Sequence, residues 1–539
     1  MYIFLIGACG AMLFWAWSSY LAFTKVAPEA GGQYVEGMVA QPRYINPILA
    51  QTSDADSVLS KLIYGSLFVT GTNGLPEKSM AQDYSVAEEG KVITVFLKPG
   101  MRFHDGEEVT AEDVIFTIRA LQDPAYKSPL RSNWLGVEVS SPERYTVVFT
   151  LKKPYFGFLE NLTVGILPKH IWESIPADRF TLADYNLLQP VGSGPYRFQD
   201  IDKDADGNIL SYSLEVFEDY FGGRAYIDRL VFRFYSSEQD LLDAFNHQEV
   251  MGMYAVNTQA VRDLSPKRRP VVRELALPRL FSVFLNTNKS VALAYDEVRT
   301  ALSLATDRNQ LVQQVFDGKA LAATGPLLPF MFGFTESGQL TADVDGANRL
   351  LDEKGWKRGE DGIRSKDGVP LRFALFTPDW PELVVTADLL REVWRAIGAD
   401  MEVKVLSQAD LYQNVMRNRE YEALLFGQGS MLDPDPYSFW HSSQKSDPGL
   451  NLAFFENKRV DELLTTARET LDSGKRAELY REFQDIVRRE HPAVFLFSPA
   501  YLSVTSDLVQ GFGLRSINAP ADRFSDITKW YVETKRVKK

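Results

Sequence analysis

One cysteine in 539 residues sets the first limit on this chain. It is Cys9, so residues 25–539 hold no disulfide, no thiol nucleophile and no thiolate metal ligand. A body without cysteine is compatible with export but does not require it. Histidine is almost as scarce. His104, His170, His247, His441 and His491 lie far apart, and none belongs to a His-Glu-x-x-His zinc motif. A Gly-x-x-x-x-Gly-Lys phosphate loop and a Gly-x-Ser-x-Gly nucleophile elbow are also missing. Basic residues number 58 against 71 acidic ones, a net charge of −13, which argues against a general nucleic-acid binder.

Charge is absent altogether from residues 1–24, and the first lysine is Lys25. A helix of that length reaches about 35 Å, enough for a hydrocarbon core about 30 Å thick. Trp15, Trp17 and Tyr20 gather towards its outer end, as interfacial aromatics do. The apolar stretch is longer than the core of a cleaved signal peptide, and no small-x-small cleavage site follows. Ile6-Gly7-Ala8-Cys9 suggests a lipoprotein signal, yet about a dozen apolar residues follow the cysteine. An uncleaved transmembrane anchor is therefore expected at 1–24, with a linker at 25–31 around Ala27-Pro28-Glu29-Ala30.

The remaining chain is too long for one hydrophobic core, so two or three domains are expected. Its 45% apolar and 24% charged residues describe a folded globule. Alternation over 91–98 and 145–151 predicts strands. Thr110 before Ala111-Glu112-Asp113 predicts a helix start, and Asp123-Pro124 its end. Segments 280–286, 371–377, 401–405 and 423–426 read as strands. Helices are expected over 298–315, 382–397 and 411–417, and over 460–489 with a break near Asp472-Ser473-Gly474. Strands interleaved with helices define an α/β architecture with mixed sheets in more than one domain.

Two polar segments compete for a functional role. Phe103-His104-Asp105-Gly106 sets a histidine beside a carboxylate, but Asp-Gly favours a turn and a helix start follows at once. A structural turn is the better reading. Asp433-Pro434-Asp435-Pro436-Tyr437 follows a strand and the turn Gly427-Gln428-Gly429, where backbone can approach a ligand. Asp433 or Asp435 can pair with a ligand ammonium, and Trp440 can cover an apolar side chain. A proline-stiffened surface loop with capping aspartates explains the same residues equally well.

Several segments resemble, in order, those of the family 5 extracellular solute-binding proteins, the oligopeptide-, dipeptide- and nickel-binding components of ABC importers. They are Ile45-Asn46-Pro47; Phe103-His104-Asp105-Gly106 with Val109-Thr110-Ala111-Glu112-Asp113-Val114; Gly192-Ser193-Gly194-Pro195-Tyr196; and Asn286-Thr287-Asn288. Val298-Arg299-Thr300-Ala301-Leu302, Thr306-Asp307-Arg308 and Asp433-Pro434-Asp435-Pro436 continue the series, as do Val460-Asp461-Glu462-Leu463-Leu464 and Pro492-Ala493-Val494. The resemblance covers residues 32–507. It implies a periplasmic-binding-protein-like type II fold, two lobes with a hinge and an extra inserted domain. Domain I would take residues 32–51, 166–278 and 497–539, domain II 52–165, and domain III 279–496.

The resemblance further implies an extracytoplasmic receptor, not an enzyme, that captures oligopeptides between its lobes and delivers them to permease subunits of an ABC importer. A monomer tethered to the cell membrane by its N-terminal helix is expected, with no nucleic acid, metal or cofactor. A nickel chelate, haem or oligosaccharide ligand is the alternative within the binding class, and a cleft hydrolase using dispersed carboxylates the alternative outside it. Peptide-binding relatives hold the amino terminus with an aspartate in an Asp-Tyr-Pro-Asp-Pro-like stretch. Matching the final Pro-Asp-Pro sets Leu432 at that position, with Asp433 one residue later. The candidate ligand-binding residues are Ser53 and Asp54 after Pro47, Arg131 and Trp134 in domain II, and Gln428, Gly429, Asp433 and Trp440.

Overall fold

The run Arg279–Leu285 carries apolar side chains at nearly every position, too many for a strand with one wet face. In the computed structural model, which describes residues 15, 20–21, 23–71, 74–255, 258–336, 338 and 341–539, it lies inside a six-stranded sheet. The order there is Ala320–Ala322, Ala493–Pro499, Arg279–Leu285, Ala423–Gly429, Arg372–Pro378, Asp400–Leu406. Phe281, Val283 and Leu285 point into one core with Leu302 and Trp394. Leu280 and Phe284 point into a second core with Leu424 and Phe483. Helices cover both faces.

A seven-stranded sheet organises the other lobe, in the order Pro270–Leu275, Tyr501–Ser506, Gly252–Ala255, Gln33–Val39, Arg229–Tyr235, Ile209–Val216, Tyr196–Lys203. The chain passes between these two sheets at residues 276–278 and again at Ala500. Ser498 Oγ donates to Leu277 O at 3.2 Å and ties the two crossings together. A smaller four-stranded sheet, Ala81–Ala87, Val92–Leu97, Thr146–Thr150 and Glu138–Glu143, packs beneath the helix Ala111–Gln122. Thr110 caps that helix as expected, its N–H donating to Asp113 Oδ2 at 2.8 Å.

Three expectations need correction. Residues 298–315 form two helices, Asp296–Ala305 and Arg308–Phe316, because Asp307 leaves the helix and its carboxylate accepts from Gln310 N–H. Residues Leu411–Met416 form a wide π turn that continues the short helix Gln408–Asp410. The expected linker is a strand. Thr24–Glu29 pairs antiparallel with Glu533–Lys538, and Pro28 is tolerated because a two-stranded ribbon leaves an open edge. The expected span at 1–24 falls outside the described residues except for Trp15, Tyr20, Leu21, Phe23 and Thr24. Among the described residues, no helix is long and apolar enough to cross a membrane.

His104 has the structural role expected of its turn. Its Nε2 lies 3.1 Å from Gly194 O, and its Nδ1 accepts from Gly192 N–H at 3.3 Å. The two glycines are required by close approach, since a Cβ at Gly192 would lie 2.0 Å from Ile63 O. Burial pushes His104 down to about 4. Between 6.5 and that value the unfolded chain binds a proton that the fold refuses. The stability this histidine contributes is therefore complete above 6.5 and falls as pH drops, by on the order of 3 kcal/mol. His104→Gln keeps a donor and an acceptor without the titration. Urea unfolding from pH 7 to 4 should show a shallower loss than wild type, the remainder shared by His491, also held at about 4, by His441, which burial lowers, and by carboxylates lowered by their partners, such as Glu108, Glu297 and Glu482. Equal slopes would contradict this role for His104.

Candidate functional site

Beyond the strand Ala423–Gly429 the chain enters Asp433-Pro434-Asp435-Pro436, where the prolines limit backbone freedom. Each aspartate is held by an arginine from the helices Lys458–Glu469 and Ser473–Glu490. Arg476 Nη2 donates to Asp433 Oδ2 at 2.8 Å, and Arg468 Nε to Asp435 Oδ2 at 2.7 Å. Tyr480 OH donates to Pro434 O at 2.8 Å and fixes the turn between them. Burial raises Asp433 above the usual carboxylate range, and Arg476 opposes that shift.

The opposite wall comes from the chain that leaves the small sheet after Thr150. Phe156 lies under the Arg476 guanidinium, 3.7 Å from ring centroid to charge, and Phe332 flanks the same cation at 4.2 Å. Arg468 stacks on Tyr437 at 4.3 Å and faces Tyr155 at 5.6 Å. Planar guanidinium suits this double duty, pairing at its edge and stacking on its face. Phe156 N–H donates to Arg468 O at 3.2 Å, and Lys153 pairs with Glu469 at 2.7 Å. These contacts bring the lobes together around a cavity of about 570 Å³, walled by residues 132–161 on one side and 430–469 on the other. That size is ordinary for a small-molecule site.

Leu432 closes the lobes at a second point. Its N–H donates to Asn518 Oδ1 at 2.8 Å, and Asn518 Nδ2 donates to Gly74 O at 3.1 Å. Gly74 has a φ of +77°, and a Cβ there would lie 1.6 Å from Leu432 Cδ1. Leu432 is thus a buried apolar plug between lobes and offers a ligand ammonium nothing.

The structure brings together part of the expected set. Asp433 lines the interlobe cavity, paired with Arg476. Gln428 and Gly429 end the strand that leads to it; Gln428 is buried with no partner for Nε2 among the described residues, and Gly429 is open. Ser53 caps the helix Asp54–Ile63, and Asp54 lines a different cavity of about 540 Å³ within the N-terminal lobe. Arg131 Nε donates to Gln122 O at 2.9 Å beside the small sheet. Two tryptophans are core residues and correct the expectation for them. Trp134 is buried against Phe149 and Phe158, and Trp440 against Phe455 and Phe495, since a flat apolar ring gains most where both faces are covered.

The residues missed from sequence are Phe156, Glu160, Arg468 and Arg476. The aromatic run Tyr155-Phe156-Gly157-Phe158 was the available signal; the arginines lie in helices whose charged faces look ordinary. Glu160 lines the cavity and is 8% exposed. Burial first, then the nearby Asp433 and Asp522, push it up to about 7.

Two sheets joined by two crossings, with a cavity between the lobes, define the type II class of periplasmic binding protein. Residues 76–449 match the model of the bacterial extracellular solute-binding proteins, family 5, and the chain belongs to that family. It is 27% identical over 515 residues to the oligopeptide-binding protein AppA of Bacillus subtilis, covering 94% of this chain and 92% of that one. Protein XP55 of Streptomyces lividans is 30% identical over 495 residues, covering 90% and 86%. The structure of Bacillus subtilis AppA with a nonapeptide aligns at a TM-score of 0.72 and 25% identity, over 94% of this chain and 100% of that one. The ABC transporter substrate-binding protein CtaP of Listeria monocytogenes aligns at 0.80 and 25% identity, over 94% and 100%.

Two variants test the cleft. Arg476→Met keeps apolar volume but strands the half-buried Asp433 carboxylate, and should cost about 3 kcal/mol in urea unfolding, with part regained in Arg476→Met/Asp433→Asn. Asn518→Ala removes the hydrogen bond from Leu432 N–H that crosses the cleft, a loss of about 1 kcal/mol between the lobes, and with it the bond that anchors Asn518 to Gly74 inside the N-terminal lobe. Small-angle scattering should then report a larger radius of gyration, and an unchanged radius would show that the bridge does not hold the lobes.

Proposed function

We propose that this chain is the extracytoplasmic receptor of an ABC importer and that it captures peptides between its lobes. The observation that carries the reading is the interlobe cavity, whose walls come from both lobes and whose formation depends on closure. A ligand held there contacts both walls at once, so its binding free energy is transferred to the hinge, and the closed shape becomes the signal that a permease reads. Peptide is the favoured solute because AppA of Bacillus subtilis binds oligopeptides and its structure holds a nonapeptide.

In the same terms, the N-terminal lobe comprises domain I (32–51, 166–278 and the C-terminal residues) and domain II (52–165). Domain III was expected over 279–496; we draw its end at Ala500 instead, because the strand Ala493–Pro499 belongs to the six-stranded sheet. The uncharged run 1–24 supports a membrane tether; the extracytoplasmic body and the monomeric state are part of the same proposal. Asp433, which lines the interlobe cavity, and Gln428 and Gly429, which lead to it, remain proposed ligand neighbours; Ser53, Asp54 and Arg131 lie outside that cavity and would meet only a ligand that extends beyond it.

A randomised peptide pool should raise the melting temperature of the full chain. Saturation at a hundredfold excess over Kd corresponds to about 2.7 kcal/mol. A shift with a nickel chelate, haem or an oligosaccharide, and none with peptides, would replace the peptide assignment.

A further inference from the structure

The charged groups of the interlobe cavity nearly cancel. Asp433 is matched by Arg476, Asp435 by Arg468, and Glu469 by Lys153. Glu160 stands outside this balance. It lies in the short helix Phe158–Asn161 on the N-terminal wall, and its Oε1 is buried without a hydrogen-bond partner among the described residues. An unpaired carboxylate in such a place is costly, and a cation that arrives from outside would relieve that cost. The loop position where an amine-binding aspartate was expected holds Leu432, which is buried against Gly74.

We infer that Glu160 receives the cationic group of the ligand, the amino terminus of a peptide, from the wall opposite Asp433. This rests on the reading of the interlobe cavity as a peptide site. The ammonium donates to the buried carboxylate, and its charge completes the neutralisation of the cavity. Asp433 Oδ1 is also buried without a partner among the described residues, but the charge of Asp433 is matched by Arg476 and that of Asp435 by Arg468, whereas no arginine or lysine pairs with Glu160 among the described residues.

A pH signature follows. The groups facing Glu160 are Asp433 with Arg476, Asp435 with Arg468, Asp522 with Lys61, and the phenol of Tyr155, which burial keeps protonated. Of these, Glu160 is the one pushed up to about 7. Below that value an incoming ammonium must displace a proton, so affinity should rise as pH increases towards neutrality.

The test uses the full chain and two randomised tetrapeptide pools, one with free amino termini and one N-acetylated. In wild type, acetylation should weaken binding at least about thirtyfold. Glu160→Gln should bring that ratio towards one and flatten the rise in free-amine affinity between pH 5.5 and 7. Glu160→Asp, which keeps the charge on a shorter arm, should restore part of the ratio and so exclude a folding defect. An undiminished ratio in Glu160→Gln, or equal binding of both pools by wild type, overturns the role of Glu160 while leaving peptide capture standing. Wild type that binds neither pool overturns the peptide reading and this inference with it.

Discussion

Two strands leave one sheet and enter the other, at 276–278 and at Ala500, and the geometry of the cleft depends on that pair of crossings. A single crossing would leave the lobes free to twist about it. Two crossings side by side, linked by Ser498 and Leu277, restrict them to a bend about one axis. The strands that carry the crossings are themselves buried neighbours, with Phe281 opposite Phe497 in the six-stranded sheet. Rotation at the hinge therefore carries a whole lobe as a packed body, and small changes there become large displacements at the cavity rim.

The cleft is assembled from charges that are paired before a ligand arrives. Arg468 and Arg476 project from two successive helices onto two aspartates separated by one proline, an arrangement that spends desolvation energy for fixed geometry. The faces of their guanidinium groups then meet Phe156 and Tyr155 from the other lobe. Pairing and stacking on one cation couple the order of the C-terminal wall to closure.

Much of the architecture was legible in the residues. Alternation marked the strands of the small sheet, Thr110 marked its helix, and Asp472 marked the break between the helices that deliver the two arginines. The family segments marked the fold class. Trp134 and Trp440 were misread because an aromatic beside a polar loop looks the same from sequence whether it faces solvent, ligand or core; only tertiary packing decides. Glu160 could not be found this way. Its character comes from distant Asp433 and Asp522 and from burial, none of which is a property of neighbouring positions. The strand at Thr24–Glu29 was missed for a related reason, since its partner is the far end of the chain.

The stacking of Arg476 on Phe156, the Lys153–Glu469 pair and the bond from Leu432 to Asn518 are contacts of protein with protein, and they favour closure whatever the cleft holds. Each shifts the resting equilibrium towards the shut state. A receptor built this way gains apparent affinity, because a larger fraction of molecules already has the binding geometry. For the receptor proposed above, the same bias would raise basal docking on a permease. Sensitivity to scarce solute and silence in its absence are thus set against each other by the strength of a few side-chain contacts at the rim.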